Sequence, residues 1–545
     1  MVCPSPNCLS WPPLQPNPDV AGIGVIISFM LSAYFTLTLV TLHYLIDHHH
    51  KRNSVDKAFL GLVVPKRLTI QTQETSERWT RAFEAAVLFM GDTQIVTSLA
   101  ILLSGYVQLP CSLSTYHWEM IVDLAWFSAL THLAALTSLR YYLRRRPAMA
   151  VWRVLFMGIT LILLSSALYP TGYVFQTYNA GYDYILTLQD LEHFLSSPAL
   201  CLLRRHTRAE LTENLSSASN AHTKSKIDPP FNTALIAISL IYLTISYLTR
   251  VIKLSRSAAE FTNNWLRIKP ITFLCNAYGA ARMLSFRSRI LSSIVRGPLL
   301  VCITMAEAVY EIGNSMLWEI CWLAAALIWG TFRLVVHRHQ SRLVVENTWG
   351  FGQVLALILS TLPLWSFFSN LQENVLTPLH IDTNPTNLPV IDGLGQLDQY
   401  SWFNGLVSFI FGTALTLAGG TVYQFSGSSL LGLDATDEVI GYDELYRDTS
   451  WVAMIYVIAI GCTTFAAMIF TAVALAFHYQ KIPSSKISRW WRRRTVNLSL
   501  RAQEKILSWA WIVLMMMLIG AQLMLYLLAI YWEFPYVADY GITGG

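Results

Sequence analysis

Charge is scarce in this chain. Of its 545 residues only 13% are charged, against 54% hydrophobic. An ordinary soluble domain has about 25% charged residues, so a water-soluble globule of this length is excluded. The short motifs of soluble catalysts are missing too. There is no P-loop, no GxGxxG placed after a strand, no HExxH and no GxSxG, which argues against nucleotide-driven, zinc-hydrolytic and serine-hydrolase chemistry. The chain also lacks the pair of aspartate-rich DDxxD-type boxes that hold a prenyl diphosphate through magnesium. Its nearest stretch, DATDE at 434–438, falls in a loop expected outside the cytosol, away from cytosolic diphosphates. No cofactor is implied. Residues 1–20 have no basic run and are rich in proline, so no cleavable leader is expected and the first span should act as an uncleaved anchor. No internal repeat is visible.

What the chain has in quantity is apolar sequence in blocks of roughly 20 residues, the length that crosses about 30 Å of hydrocarbon. The expected spans are 21–46, 83–107, 118–139, 151–170, 231–252, 315–336, 349–369, 402–423, 449–478 and 507–532. The fold class is therefore all-α, a polytopic transmembrane bundle of about ten spans, whose principal partner is the lipid bilayer. The run at 298–312 is ambiguous: it is short, contains Glu307, and reads best as a cytosolic lead-in to the sixth span.

Lys and Arg mark the cytosolic side of short loops. With the N-terminus outside, the inner segments 47–82, 140–150, 253–296, 370–401 and 479–506 hold 27 basic residues, against 8 on the outer segments. Both termini are then extracytosolic, in the plasma membrane or a secretory-pathway membrane. One loop resists this assignment, since 370–401 has no basic residue. The chain divides into an outer N-terminal segment (1–20), spans one to four (21–170), an outer loop (171–230), spans five to seven with the basic segment 253–296 (231–369), and spans eight to ten with the basic segment 479–506 (370–545). SRWWRRRTVNLSLRAQEK at 488–505 mixes Trp with Arg, as an interfacial helix on anionic lipid does. No nucleic-acid partner is needed to explain it.

Cys3, Cys8, Cys111 and Cys201 all fall on the outer, oxidising side, which allows up to two disulfides. Cys302, Cys321 and Cys462 lie in or beside apolar segments and read as packing residues. Asn214-Leu215-Ser216 is a glycosylation sequon in the long outer loop, whereas the one at Asn497 is expected in the cytosol. The histidines of DHHHKR (47–52) invite a metal reading, but adjacent helical residues point about 100° apart and these sit at the water boundary. The acidic loop 424–448 does not follow calcium-loop spacing. No metal site is assigned.

Chemistry must then come from polar groups inside the spans, where an ionisable group needs a partner or a wet cavity. Asp92 and Gln94 lie in the second span, and Asp123 and His132 in the third. Asp92 and His132 come out at matching depths, roughly 13 and 12 Å from the cytosolic end, and are expected to face one another. Glu119 and Asp123 are one turn apart near the outer mouth. Asp123 and His132 point about 180° apart around their helix. Gly91, Gln94, Ser98 and Gly105 form a strip suited to close helix approach. Glu307, Glu311 and Glu319 make a broad acidic stripe on one helix, flanked by Trp318 and Trp322. Asp92, Gln94, Asp123, His132, Glu307, Glu311 and Glu319 are the candidate ligand or ion residues. The plain structural alternative is that these groups only fasten helices together.

GDTQIVTSLAILLSGY (91–106), YHWEMIVDLAWFSALTHL (116–133) and ENTWGFGQVLAL (346–357) resemble segments of a group of uncharacterised fungal multipass membrane proteins, and the resemblance covers most of the chain. It implies a polytopic membrane protein, assigns no functional residue, and hints at a setting in secondary metabolism. Three functions remain: binding or translocation of a small molecule or ion of unknown identity; a membrane-embedded cyclase-like enzyme using Asp92 or Asp123 as general acid; and a receptor-like or scaffolding protein.

Overall fold

The computed structural model describes residues 8, 12–46, 56, 73–111, 113–172, 195–203, 233–284, 289–341, 346 and 348–372, with single positions between 403 and 414. The expected spans at 449–478 and 507–532, nearly all of 402–423, and Cys3, Asn214, Asn497, the histidines at 48–50 and the acidic loop lie outside them.

Among the described residues the principal helices are α1 (Ile23–Ile46), α2 (Gln73–Gln108), α3 (Thr115–Ser138), α4 (Pro147–Leu168), α5 (Thr233–Leu254), α6 (Lys269–Leu284), α7 (Arg289–Asn314), α8 (Met316–Ser341) and α9 (Phe351–Gln372). No strand occurs among these residues. Six stretches are long and apolar enough to cross a bilayer: Pro18–Ile46, Arg78–Cys111, Thr115–Ser138, Pro147–Gly172, Met316–Val335 and Phe351–Leu371. The chain is an all-α, polytopic membrane-type bundle.

Local chemistry sets the boundaries. Pro110 lies within the 3₁₀ turn Leu109–Cys111 that follows α2, and Ser114, extended at ψ 155°, caps α3 by accepting from the His117 N–H. Pro147 opens α4 at its first turn, where its missing N–H has no helical partner to lose. Ser315 separates α7 from α8. Its hydroxyl accepts from Trp318 N–H at 3.2 Å and donates to Asp56 at 2.7 Å, while Asp56 also accepts from the Leu317 N–H at 3.2 Å. A carboxylate thus sits on the positive end of α8.

The centre of the bundle is α3, buried along its whole length. It packs on α1, α2, α4, α5 and α8. Small residues permit the tight contacts: a Cβ on Gly24 of α1 would lie 2.6 Å from Gln353 Cβ of α9, and the Gly24 N–H is instead taken by Gln353 Oε1 at 3.0 Å. α4 and α9 present most of their surface outward, with Val151, Trp152, Leu155, Ile162, Ile358, Leu362 and Phe368 exposed. That much open apolar surface suits lipid and not water. Between α5 and α8 the chain makes an excursion: a short helix Arg256–Asn263, a π-turn Asn264–Ile268, then α6 and α7 packed together.

Candidate functional site

Helix α3 is buried on every side, yet it holds His117, Glu119, Asp123 and His132. Each must find partners, because an unpaired polar group in apolar surroundings is costly. The partners fall into three assemblies along α3 and its antiparallel neighbour α8.

The first closes one end of the bundle. Glu346, in the segment between α8 and α9, is fully buried. Its carboxylate accepts from Tyr116 Oη at 2.9 Å, pairs with His117 Nε2 at 3.0 Å and accepts from Asn17 N–H at 3.1 Å. It also forms a salt bridge with Arg338, which donates to Tyr116 Oη at 2.7 Å. Ser114 Oγ lies 2.6 Å from His117 Nδ1. Burial pushes the Glu346 carboxyl upward, but the hydrogen bonds from His117, Asn17 and Tyr116 outweigh it and hold the group below the usual carboxylate range. At the same end Thr115 N–H donates to Ser197 O at 2.7 Å and Ala199 N–H to Leu113 O at 2.8 Å, and Cys8 is disulfide-bonded to Cys201. Cys111 is disulfide-bonded as well.

The second assembly lies deeper, between α3 and α8. Asp123 Oδ2 is 2.6 Å from His337 Nδ1 and Asp123 Oδ1 is 3.1 Å from Arg333 Nη2. Glu119 stands one turn from Asp123. The side chains of Asp123 and Arg333 are 1% and 4% exposed. Despite that burial, none of the three Arg333 nitrogens makes a hydrogen bond among the described residues, and neither does Glu119 Oε2. The ion pair is close in distance but poor in angle. One turn below, Trp126 Nε1 donates to Ala326 O at 3.0 Å, and its ring lies where a Gly330 side chain would be, 2.5 Å from the Cβ position.

The third assembly is at the opposite end. Glu319 receives Arg140 at 2.6 Å and Lys253 at 2.5 Å. Arg250, buried beside them, donates through Nε to Leu133 O at 3.0 Å and Thr137 Oγ1 at 2.8 Å. Arg140, Arg144, Arg145, Arg146, Lys253 and Arg256 gather in the sequence flanking this end.

Several expectations are corrected. Asp92 does not face His132. It takes a bidentate pair with Arg153 of α4, both contacts 2.7 Å, and its side chain is half exposed. The reason is helical phase. Gly91 abuts Ala135 of α3 and the Gln94 carbonyl accepts from Ser128 at 2.8 Å, so the α3-facing side of α2 passes through Gly91 and Gln94, and Asp92 is turned about 100° away from Gly91. His132 is buried beside Ser128, 3.5 Å from its hydroxyl. Glu307, Glu311 and Glu319 do not share a helix, because Ser315 breaks the chain between them. Glu307 forms a salt bridge with Arg267 and Glu311 lies 3.8 Å from the same cation. The acidic stripe is thus two separate structural assemblies.

Asp123 alone of the seven candidates enters the α3–α8 seam. Its companions Arg333 and His337, and Glu346 above them, were not among the candidates. Arg333 sits at the edge of the sixth apolar block, and His337, Arg338 and Glu346 read as ordinary loop charge. The opposed i, i+4 pairs Glu119/Asp123 and Arg333/His337 on two apolar helices were the available signal.

Fold and site together define a membrane-embedded helical protein with a buried, incompletely paired ionic seam. A stretch of 115 residues is 31% identical to the elsinochromes biosynthesis cluster protein HP3 of Elsinoe fawcettii, covering 21% of this chain and 43% of that protein. The chain thus matches less than half the length of that relative. No protein-family description matches the chain, and no solved structure matches it.

Proposed function

We propose that this protein binds a small molecule or ion at the α3–α8 seam and passes it across a secretory-pathway or plasma membrane, with the Glu346 end facing outward. The observation behind this reading is Arg333: a guanidinium inside a span, almost fully buried, with the Asp123 and Glu119 carboxylates nearby and no hydrogen bond to either. A group that only fastens helices is usually fully paired, as Arg250 and Lys253 largely are here, whereas a group that must exchange partners is not. The likeness to a biosynthesis cluster protein fits a cargo from secondary metabolism.

The enzyme alternative names Asp92 and Asp123 as acids; Asp92 is in a bidentate pair with Arg153, and Asp123 lies 2.6 Å from His337 and 3.1 Å from Arg333. Metabolite profiling of a deletion strain, medium against cell pellet, separates the readings. Retention of finished product inside cells, restored by the wild-type gene and not by Arg333→Gln, supports translocation. Accumulation of an uncyclised precursor replaces it with an enzyme, and an unchanged profile removes both.

A further inference from the structure

We infer that the ligand of the α3–α8 seam is an organic anion, anchored by Arg333. The inference rests on the reading of this seam as a binding site and narrows its ligand to one chemical class. It comes from counting donors against acceptors. A guanidinium carries five N–H donors and no acceptor, and none of those of Arg333 is hydrogen-bonded among the described residues. The acceptors left over around it are two carboxylate oxygens, Asp123 Oδ1 and Glu119 Oε2. Five N–H donors thus face two oxygens with about four lone pairs between them, and no pairing among these meets hydrogen-bond geometry, so the guanidinium is short of well-placed oxygen acceptors.

A cationic ligand would add donors to a place that already has too many, and would stand beside Arg333 and His337. A neutral apolar ligand would leave the donors as they are. A planar group with two oxygens, such as a carboxylate, meets the guanidinium fork with two parallel hydrogen bonds. The neighbourhood suits an aromatic body on that group. Trp126 is held by its bond to Ala326 O, lies against Gly330, and is one helical turn from both Asp123 and, through Gly330, Arg333. Glu119 and Asp123 oppose the anion and make its hold reversible, which a carried ligand requires.

The test is equilibrium binding of radiolabelled benzoate to the full-length protein in lipid nanodiscs, with benzylamine and benzyl alcohol as competitors. Saturable benzoate binding is expected, with competition by unlabelled benzoate and none by benzylamine. Arg333→Gln should weaken it by about tenfold or more, and Arg333→Lys, which keeps the charge but loses the fork, by less. Glu119→Gln removes an opposing charge and should bind at least as tightly, so a weakening in Arg333→Gln cannot be put down to any seam substitution spoiling the fold. Absence of saturable binding to the wild type, equal competition by benzylamine, or undiminished binding to Arg333→Gln overturns the assignment. If the deletion strain retains product while the wild type binds no benzoate, the anion assignment falls and the translocation reading stands. If Arg333-dependent binding occurs and the deletion profile is unchanged, the site stands and translocation falls.

Discussion

His117 Nε2 lies 3.0 Å from Glu346 Oε1, joining the first turn of α3 to the segment that leads into α9. Through that contact, and through Tyr116, Asn17 and Arg338, one carboxylate ties together three stretches of the chain that are distant in sequence: the segment before α1, the start of α3 and the α8–α9 segment.

Glu346→Gln should lower stability by on the order of 3 kcal/mol, because it leaves Arg338 beside a neutral amide in a buried place. The pH dependence follows from the depressed carboxyl. A group whose folded value lies below its unfolded one, about 4.3 for Glu, contributes stability above that unfolded value and loses it as pH falls through the folded one. Thermal unfolding in detergent should show the gap between wild type and Glu346→Gln widest at neutral pH and closing on acidification. A gap that widens in acid would contradict the network described.

Gly330→Ala should cost about 1–3 kcal/mol, since the added methyl would sit 2.5 Å from the Trp126 ring where the core has no room. Trp126→Phe on the same background should recover part of the loss, as the smaller ring clears the space. Melting temperatures of the two single variants and the double variant check this, and simple additivity would mean the two residues do not meet.

Asp92→Asn should impair folding or expression more than Asp92→Asn combined with Arg153→Gln. The single change strands a cation on a lipid-facing helix, and the double change removes both charges. Product distribution in a strain carrying the double variant should match wild type. A double variant that folds normally yet loses activity would return Asp92 to the list of functional residues.

Mass mapping without reduction should find Cys8, Cys111 and Cys201 protected from alkylation and Cys302, which is free and exposed, labelled. Reduction should lower stability by about 2–5 kcal/mol, because the Cys8–Cys201 bridge closes a separation of 193 residues. Ready labelling of Cys8 and Cys201 in the unreduced protein would refute the bridge.

The helices were legible because apolar blocks of the right length, ended by Ser and Pro, leave few alternatives. Pairing between helices was legible only where rotation about the axis was constrained. Glu119 and Asp123 share one face because i and i+4 must coincide. Asp92 was assigned by depth alone, and depth does not set which neighbour a side chain meets; its phase relative to Gly91 does. Glu346 escaped notice for another reason. A carboxylate in a loop normally meets water, and only the docking of Asn17, Tyr116, His117 and Arg338 around it removes that water. No local pattern in ENTWG encodes an enclosure built from three separate places.

The seam also constrains how the molecule is made. Asp123 leaves the ribosome 214 residues before His337, and Arg333 emerges scarcely earlier. At typical elongation rates of about 5–20 residues per second, α3 exists for roughly 10–40 s before its cations are synthesised. During that interval two carboxylates on a span-length helix have no counter-charge, which costs a few kcal/mol per group in lipid. Helix α3 therefore stands in the bilayer at a disadvantage of a few kcal/mol per carboxylate until its cations follow. Proximity to Arg333 and His337 offsets that cost only when α8 arrives, so the charge balance of α3 is completed by the eighth helix.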